Sequence, residues 1–256
     1  MTRNISRASI LALALLLAWP SSAETVRLLA NTSPPYADKK LPEQGLALEL
    51  VSHIMARAGY DADIQIEIWS RAMEGVRIGL YDALATAWYS DERAQDFIFS
   101  EPYLDSQLIL VSLRSNPVIF RQLSQLQGKR LGVRSDYAYG IDFASIPGLV
   151  QVEENHLIQN LMDLLNGRVD VVIGDQRTMA LQLNEYLQSQ SHLFEVAPVM
   201  LPGRSRHVAA SREVPGSQAM IDAFNKALAE TLEDGSHAAI VKKWDERYNI
   251  PTGSAQ

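Results

Sequence analysis

The stretch "YDALATAWYSDERAQDFIFSEPY", residues 81–103, decides the fold. Its first part, 82–88, is an apolar run too short for a helix and typical of strands that a parallel sheet buries on both faces. Ser90-Asp91-Glu92-Arg93 then reads as a helix start, with a hydroxyl cap and two acids ahead of a base. A guanidinium placed directly after a buried strand raises a functional question. Taken alone, Arg93 reads as a solvated charge on a short surface helix, because charged side chains are mostly exposed. The surrounding chain gives it a second reading.

Strands and helices alternate on both sides of this segment. Upstream, "VRLLAN" (26–31) is a strand ending in the turn "TSPPY". "LALELVSHIMARAG" (46–59) carries Leu46, Leu50, Ile54 and Ala58 at helical spacing, "ADIQIEIW" (62–69) alternates as a strand, and "RAMEGVRIG" (71–79) reads as a short helix. This β-α-β-α-β order predicts an open α/β sheet. Downstream of "SQLILVSLR" (106–114) the pattern restarts. Strands are expected at 129–135, 148–153 and 169–175, part of a helix at 140–144, and helices at 156–167 and 177–188. Strands at 193–199 and 206–211 and two C-terminal helices follow. "GLYDALATA" (79–87) and "GRVDVVIGD" (167–175) echo each other, each a Gly-x-x-Asp leading into an apolar strand. The fold class expected is α/β with two similar lobes, each an open and mostly parallel sheet flanked by helices, joined by two crossings. Lobe 1 is placed at 24–110 plus 207–256 and lobe 2 at 111–206.

The N-terminus reads differently. Arg3 and Arg7 precede an apolar run from Ile10 to Trp19, then Pro20 and the small residues Ser21-Ser22-Ala23. That is the pattern of a secretory signal peptide, here residues 1–23, and the run is short of the roughly 20 residues of a membrane span. With no cysteine in the chain there is no lipid-anchored cysteine, disulfide or thiolate metal site. Losing the leader takes the formal net charge from −7 to −9, since Arg3 and Arg7 are its only charged residues. No basic run offsets this, so nucleic acid and anionic lipid are poor partners. His53, His156, His192, His207 and His237 show no metal-ligand spacing. No Gly-x-Ser-x-Gly elbow, phosphate loop or dinucleotide fingerprint is present, and no cofactor is implied.

Ligands of open α/β sheets bind beyond the carboxyl ends of the strands. Four such ends are legible: Ser33 to Tyr36, Thr86 to Arg93, Arg134 to Tyr139, and Gly174-Asp175. If the lobes face each other, these converge on one cleft. Tyr36, Trp69 and Trp88 are candidate aromatic walls, with core packing as the alternative for each. Arg71 and Arg134 are candidate second cations, with surface ion pairs as the alternative.

Five segments in register resemble the periplasmic solute-binding proteins of the amino-acid type, family 3: "SPPY" with "GLALELV", residues 81–111, "LSQLQGKRLGVRSDYAYG", "LLNGRVDVVIGD" and "DAFNKALAETLEDGSHAAIVKKW". The resemblance implies the two-lobed type II periplasmic binding fold. It implies that Arg93 takes a ligand carboxylate, a role suited to a bidentate guanidinium fork, and that Asp175 takes its ammonium. The alternative for Asp175 is a helix N-cap. Thr86-Ala87-Trp88-Tyr89 and the loop Arg134 to Tyr139 depart from the commonest family pattern and put large or charged groups near the cleft. Trp69-Ser70-Arg71-Ala72 and Ala87 to Arg93 instead resemble a subgroup with varied ligands. The ligand contacts expected are thus Arg93, Asp175, Tyr36, Trp69, Thr86, Trp88, Arg134 and Tyr137. A monomeric capture protein is expected, delivering an amino-acid-like solute to an inner-membrane ABC permease from the periplasm. The alternatives are a dehydratase-like enzyme on the same scaffold and a ligand-sensing partner of a membrane receptor.

Overall fold

The computed structural model describes residues 23–118, 121–135, 137–197 and 201–248, so the expected leader, 1–23, lies outside the described residues except for Ala23. Two mixed sheets form the frame. The first has the order β2-β1-β3-β11-β4, with β5 also pairing with β11. The second runs β10-β6-β9-β7-β8.

In the first sheet, β1 (Glu24–Ala30) lies parallel to β2 (Tyr60–Ile66) and to β3 (Ala83–Trp88). In the second, β7 (Arg130–Arg134) lies parallel to β8 (Val150–Glu154) and to β9 (Val171–Asp175). The remaining pairings are antiparallel. β11 (Arg204–Ser211) runs against β3, β4 (Phe97–Phe99) and β5 (Leu104–Ser106). β6 (Leu108–Leu113) runs against β9 and β10 (Phe194–Val196). The expected "mostly parallel" sheets are therefore mixed. The reason is geometric: β6 and β11 enter their sheets from the other sheet, and so arrive head-on to the strands grown by βαβ crossovers.

The chain changes sheets at Gln107 and again between Val196 and Arg204. The boundaries expected at 110/111 and 206/207 both fall inside strands. No turn residue marks Gln107, so residues 106–114 read as one strand although the extended chain is handed from one sheet to the other within it.

Helix α1 (Leu46–Arg57) packs Leu46, Leu50, Ile54 and Met55 on the first sheet, together with Ile221, Phe224 and Leu228 of the C-terminal helix spanning Ser217–Glu233. The last helix, Ser236–Arg247, anchors there through Trp244, whose Nε1 donates to Glu49 Oε2 at 2.7 Å. Leu46 and Ala47 at the start of α1 donate to the carbonyls of Pro35 (2.9 Å) and Tyr36 (3.0 Å), so the turn after β1 caps this helix. Gly45 makes that possible. Its φ is +119°, and a Cβ there would lie 2.4 Å from the Tyr36 carbonyl oxygen.

Three further local expectations change. Trp69 ends no strand; it opens helix α2 (Trp69–Arg77). The helix begun at Ser90 is one turn, α3 (Arg93–Asp96), with Ser90 Oγ accepting from Arg93 N at 3.3 Å. Residues 140–144 hold only a 3-10 turn, Phe143–Ser145. Phe97, Ile98 and Phe99 resume strand pairing at once, which leaves α3 no room to extend.

Candidate functional site

Between the sheets lies a cavity of about 600 Å³. Its wall is built from the strand ends and the turns that follow them: Asn31 and Thr32 after β1, Glu67 and Trp69 after β2, Thr86 and Trp88 on β3, Arg134 at the end of β7 with Ser135, Tyr137 and Ala138 beyond it, and Asn155 after β8. Of the eight expected contacts, Arg93, Trp69, Thr86, Trp88, Arg134 and Tyr137 line it.

The Arg93 guanidinium carbon sits 4.7 Å from the centre of the Trp69 ring, and its Nη1 donates to the Trp88 carbonyl at 2.8 Å. Opening a helix beside the cleft is what lets Trp69 offer its face to this cation. From the second sheet, Tyr137 meets Trp88 edge-on at 4.9 Å, and the Arg134 guanidinium carbon lies 4.3 Å from the Tyr137 ring. Arg134 also reaches across the cleft to the Thr32 carbonyl at 3.4 Å. Trp88 is buried and packs with the second sheet's cluster, although its strand belongs to the first. It is both wall and core. Arg71, by contrast, is an exposed partner of Glu67 at 3.8 Å.

Tyr36 and Asp175 are not on the cavity wall. They bind each other: Tyr36 Oη donates to Asp175 Oδ1 (2.8 Å) and Oδ2 (2.9 Å), a bond from one sheet to the other. Asp175 Oδ1 also accepts from Thr178 N at 3.0 Å, capping helix α5 (Gln176–Glu185), the next helix after α4 (Leu157–Leu165). The cap alternative therefore describes Asp175, while the ammonium contact expected of it has no cavity-facing geometry. Both side chains are buried, Tyr36 completely. Burial, reinforced by the adjacent Asp175 charge, pushes the Tyr36 hydroxyl well above the ordinary tyrosine range, so it stays a donor.

A second tie joins the halves. Arg177 of α5 meets Asp245 of the last helix through Nε (2.8 Å) and Nη2 (3.1 Å), and its Nη1 donates to the Asp105 carbonyl at 3.1 Å. Burial opposes the Arg177 charge, but Asp245 more than restores it, and the guanidinium is held above its ordinary pKa.

Among the lining residues with titratable side chains, Lys39, Glu67, His156 and Arg206 were not expected as contacts. No local signal marked Arg206: its period-two face on β11 holds Arg204 as well as Val208 and Ala210. Glu67 is the one carboxylate among the described lining residues, and its Oε1 accepts from Ile68 N at 2.8 Å. Among the described residues, no group of three or more histidine and carboxylate side chains is placed to hold a metal, and no helix is long and apolar enough to cross a membrane.

Two mixed sheets with their strand ends facing one cavity define the type II binding-protein architecture, and the comparisons agree. Residues 27–246 match the family described as bacterial extracellular solute-binding proteins, family 3. The chain belongs to that family, one of binding proteins rather than enzymes. It is 25% identical to the L-cystine-binding protein TcyA of Bacillus subtilis (strain 168), covering 82% of this chain and 75% of that one. It is 23% identical to ABC transporter arginine-binding protein 1 of Escherichia coli (strain K12), covering 88% and 92%. Among solved structures, an ancestral arginine-binding protein bound to arginine superimposes with a TM-score of 0.74 at 20% identity, covering 87% of this chain and 99% of that one.

Proposed function

We propose that the chain is the capture component of an ABC importer, a monomer exported with cleavage after Ala23, which encloses a small carboxylate-bearing solute of the amino-acid type. The observation that carries this reading is the cavity wall. Arg93, Arg134 and Arg206 line it from both sides, stacked on aromatic rings, against Glu67 as the single described carboxylate. Such a wall suits an anionic group held by charge-assisted bonds. Its volume suits a small molecule. An ammonium on the ligand would meet Glu67 rather than Asp175. The similar proteins are named for amino acids and ABC transport, which favours capture over dehydratase chemistry or receptor partnership.

Two measurements test the reading. Mass spectrometry of the exported protein should find Glu24 at the N-terminus. Calorimetric titration of Arg93→Ala with the amino acid that best stabilises the wild type in a thermal-shift screen should show a 30-fold to several thousand-fold loss, roughly 2–5 kcal/mol. A folded Arg93→Ala protein that binds within about twofold of wild type, a difference of ~0.4 kcal/mol, would refute the anchor.

A further inference from the structure

We infer that Arg206 is a second anion-binding guanidinium on the floor of the cavity, so that the captured solute carries two carboxylates; this rests on the capture reading above. Arg206 lies on β11 directly opposite Trp88 of β3, where the chain returns from the second sheet to the first. The same stretch pairs with β5, just before the other crossing. The residue therefore sits where the two connections run side by side, at the base of the cleft.

Arg206 is only 3% exposed, yet it lines the cavity. Its guanidinium carbon stacks 3.6 Å from the centre of the Tyr36 ring and 5.5 Å from that of Trp88. Its Nε is buried without a hydrogen-bond partner, and among the described residues no carboxylate forms an ion pair with it. The nearby candidate, Asp175, spends its oxygens on Tyr36 Oη and Thr178 N. Arginines this buried are normally paired, because taking the charge out of water is costly. The aromatic faces offset part of that cost, and an anion in the cavity would offset the rest.

The position also separates Arg206 from Arg93. Arg93 approaches Trp88 through that residue's backbone carbonyl, whereas Arg206 faces its ring. Two guanidiniums reaching one tryptophan separately, one at its backbone carbonyl and one at its ring, suit two anionic groups on one molecule better than a single shared carboxylate. A purely structural role, gluing Tyr36 to Trp88, would need the flat surface but not the charge, and an uncharged side chain would fill it without the desolvation cost.

The test compares isosteric pairs by calorimetry: L-glutamate against L-glutamine and L-aspartate against L-asparagine, with glutarate as a dicarboxylate lacking the ammonium. Wild type should prefer at least one acid over its amide by about 30-fold or more. Arg206→Gln should cut that preference to below about threefold while moving the amide's own affinity little, and Arg206→Lys should restore part of it. Equal binding of acid and amide by wild type overturns the second anion site and leaves the capture reading intact. A preference that survives in folded Arg206→Gln overturns it too. If Arg206→Gln fails to fold, the wild-type ratios and Arg206→Lys decide. Failure of every probe to bind overturns the second anion site, and the thermal-shift screen over the other amino acids then decides the capture reading by itself.

Discussion

Replacing Asp175 by alanine separates the two roles open to this residue, because the structure assigns it bonds whose loss has a calculable size. The carboxylate caps α5 through Thr178 N, and losing such a cap costs about 1 kcal/mol. It also accepts the hydroxyl of Tyr36, which has no exposure at all. A buried hydroxyl left without an acceptor costs roughly 1–3 kcal/mol. Together these make about 3 kcal/mol, a fall in melting temperature of roughly 6–12 °C for a chain of this size. Asp175→Asn keeps a capping oxygen and a polar partner for Tyr36, and should stay within about 1 kcal/mol of wild type. The assay is thermal unfolding of wild type, both variants, Tyr36→Phe and the Asp175→Ala/Tyr36→Phe double variant, all without ligand. The two single losses should be non-additive, with a coupling of roughly 1–2 kcal/mol from the shared bond. The reasoning is refuted if Asp175→Ala melts within about 2 °C of wild type, at most ~1 kcal/mol, and at the same time loses its ligand. Asp175 would then touch the solute directly.

Two further outcomes follow from the same geometry. Asp245→Ala leaves Arg177, whose side chain is 19% exposed, without its ion-pair partner; an unfolding curve should show a loss of about 3 kcal/mol, at the low end for a buried pair. His207 is held below its ordinary value of 6.5, first by burial, while its Nδ1 lies 2.7 Å from the Ser100 carbonyl and so carries the proton as donor. Because the folded state binds this second proton less readily than the unfolded state, the His207 contribution to stability is full above about pH 6.5 and is lost as the pH falls through the depressed folded value. Proton NMR should show the ring titrating below pH 6.5, and His207→Asn should flatten the melting temperature between pH 7 and 5; a ring titrating above 6.5 would contradict the burial.

Much of the frame was legible because it is written in periodicity. The apolar runs at 82–88 and 169–175 are β3 and β9, and the leucine spacing at 46–59 is α1. What stayed illegible depends on partners far away in sequence. Nothing local marks Gln107 as the point where an extended chain changes sheets. Nothing in "RAQD" tells that pairing of Phe97 with Ser211 ends the helix after one turn. The strands themselves were found, while the boundaries expected at 110/111 and 206/207 fall inside β6 and β11.

The site shows the same division more sharply. The rule that ligands gather beyond strand ends points to the cavity that Thr86, Trp88, Arg93, Arg134 and Tyr137 line, since strand ends are a local property. It could not tell which way the side chain of the last residue turns. Asp175 closes β9 as expected, but its carboxylate follows the demand of the helix that begins next to it and of a tyrosine 139 residues away, and so leaves the cavity wall. Arg206 shows the converse. It begins as an unremarked base ahead of "HVAAS", and only its pairing opposite Trp88 turns it toward the cleft floor. Asp175 is drawn off to fix Tyr36, and Tyr36 in turn supplies the ring on which Arg206 stacks. An acid that leaves the wall and a cation that joins it move the cavity's charge in one direction, toward an anionic solute. Removing Asp175 would thus loosen the platform under Arg206 as well as the cap of α5.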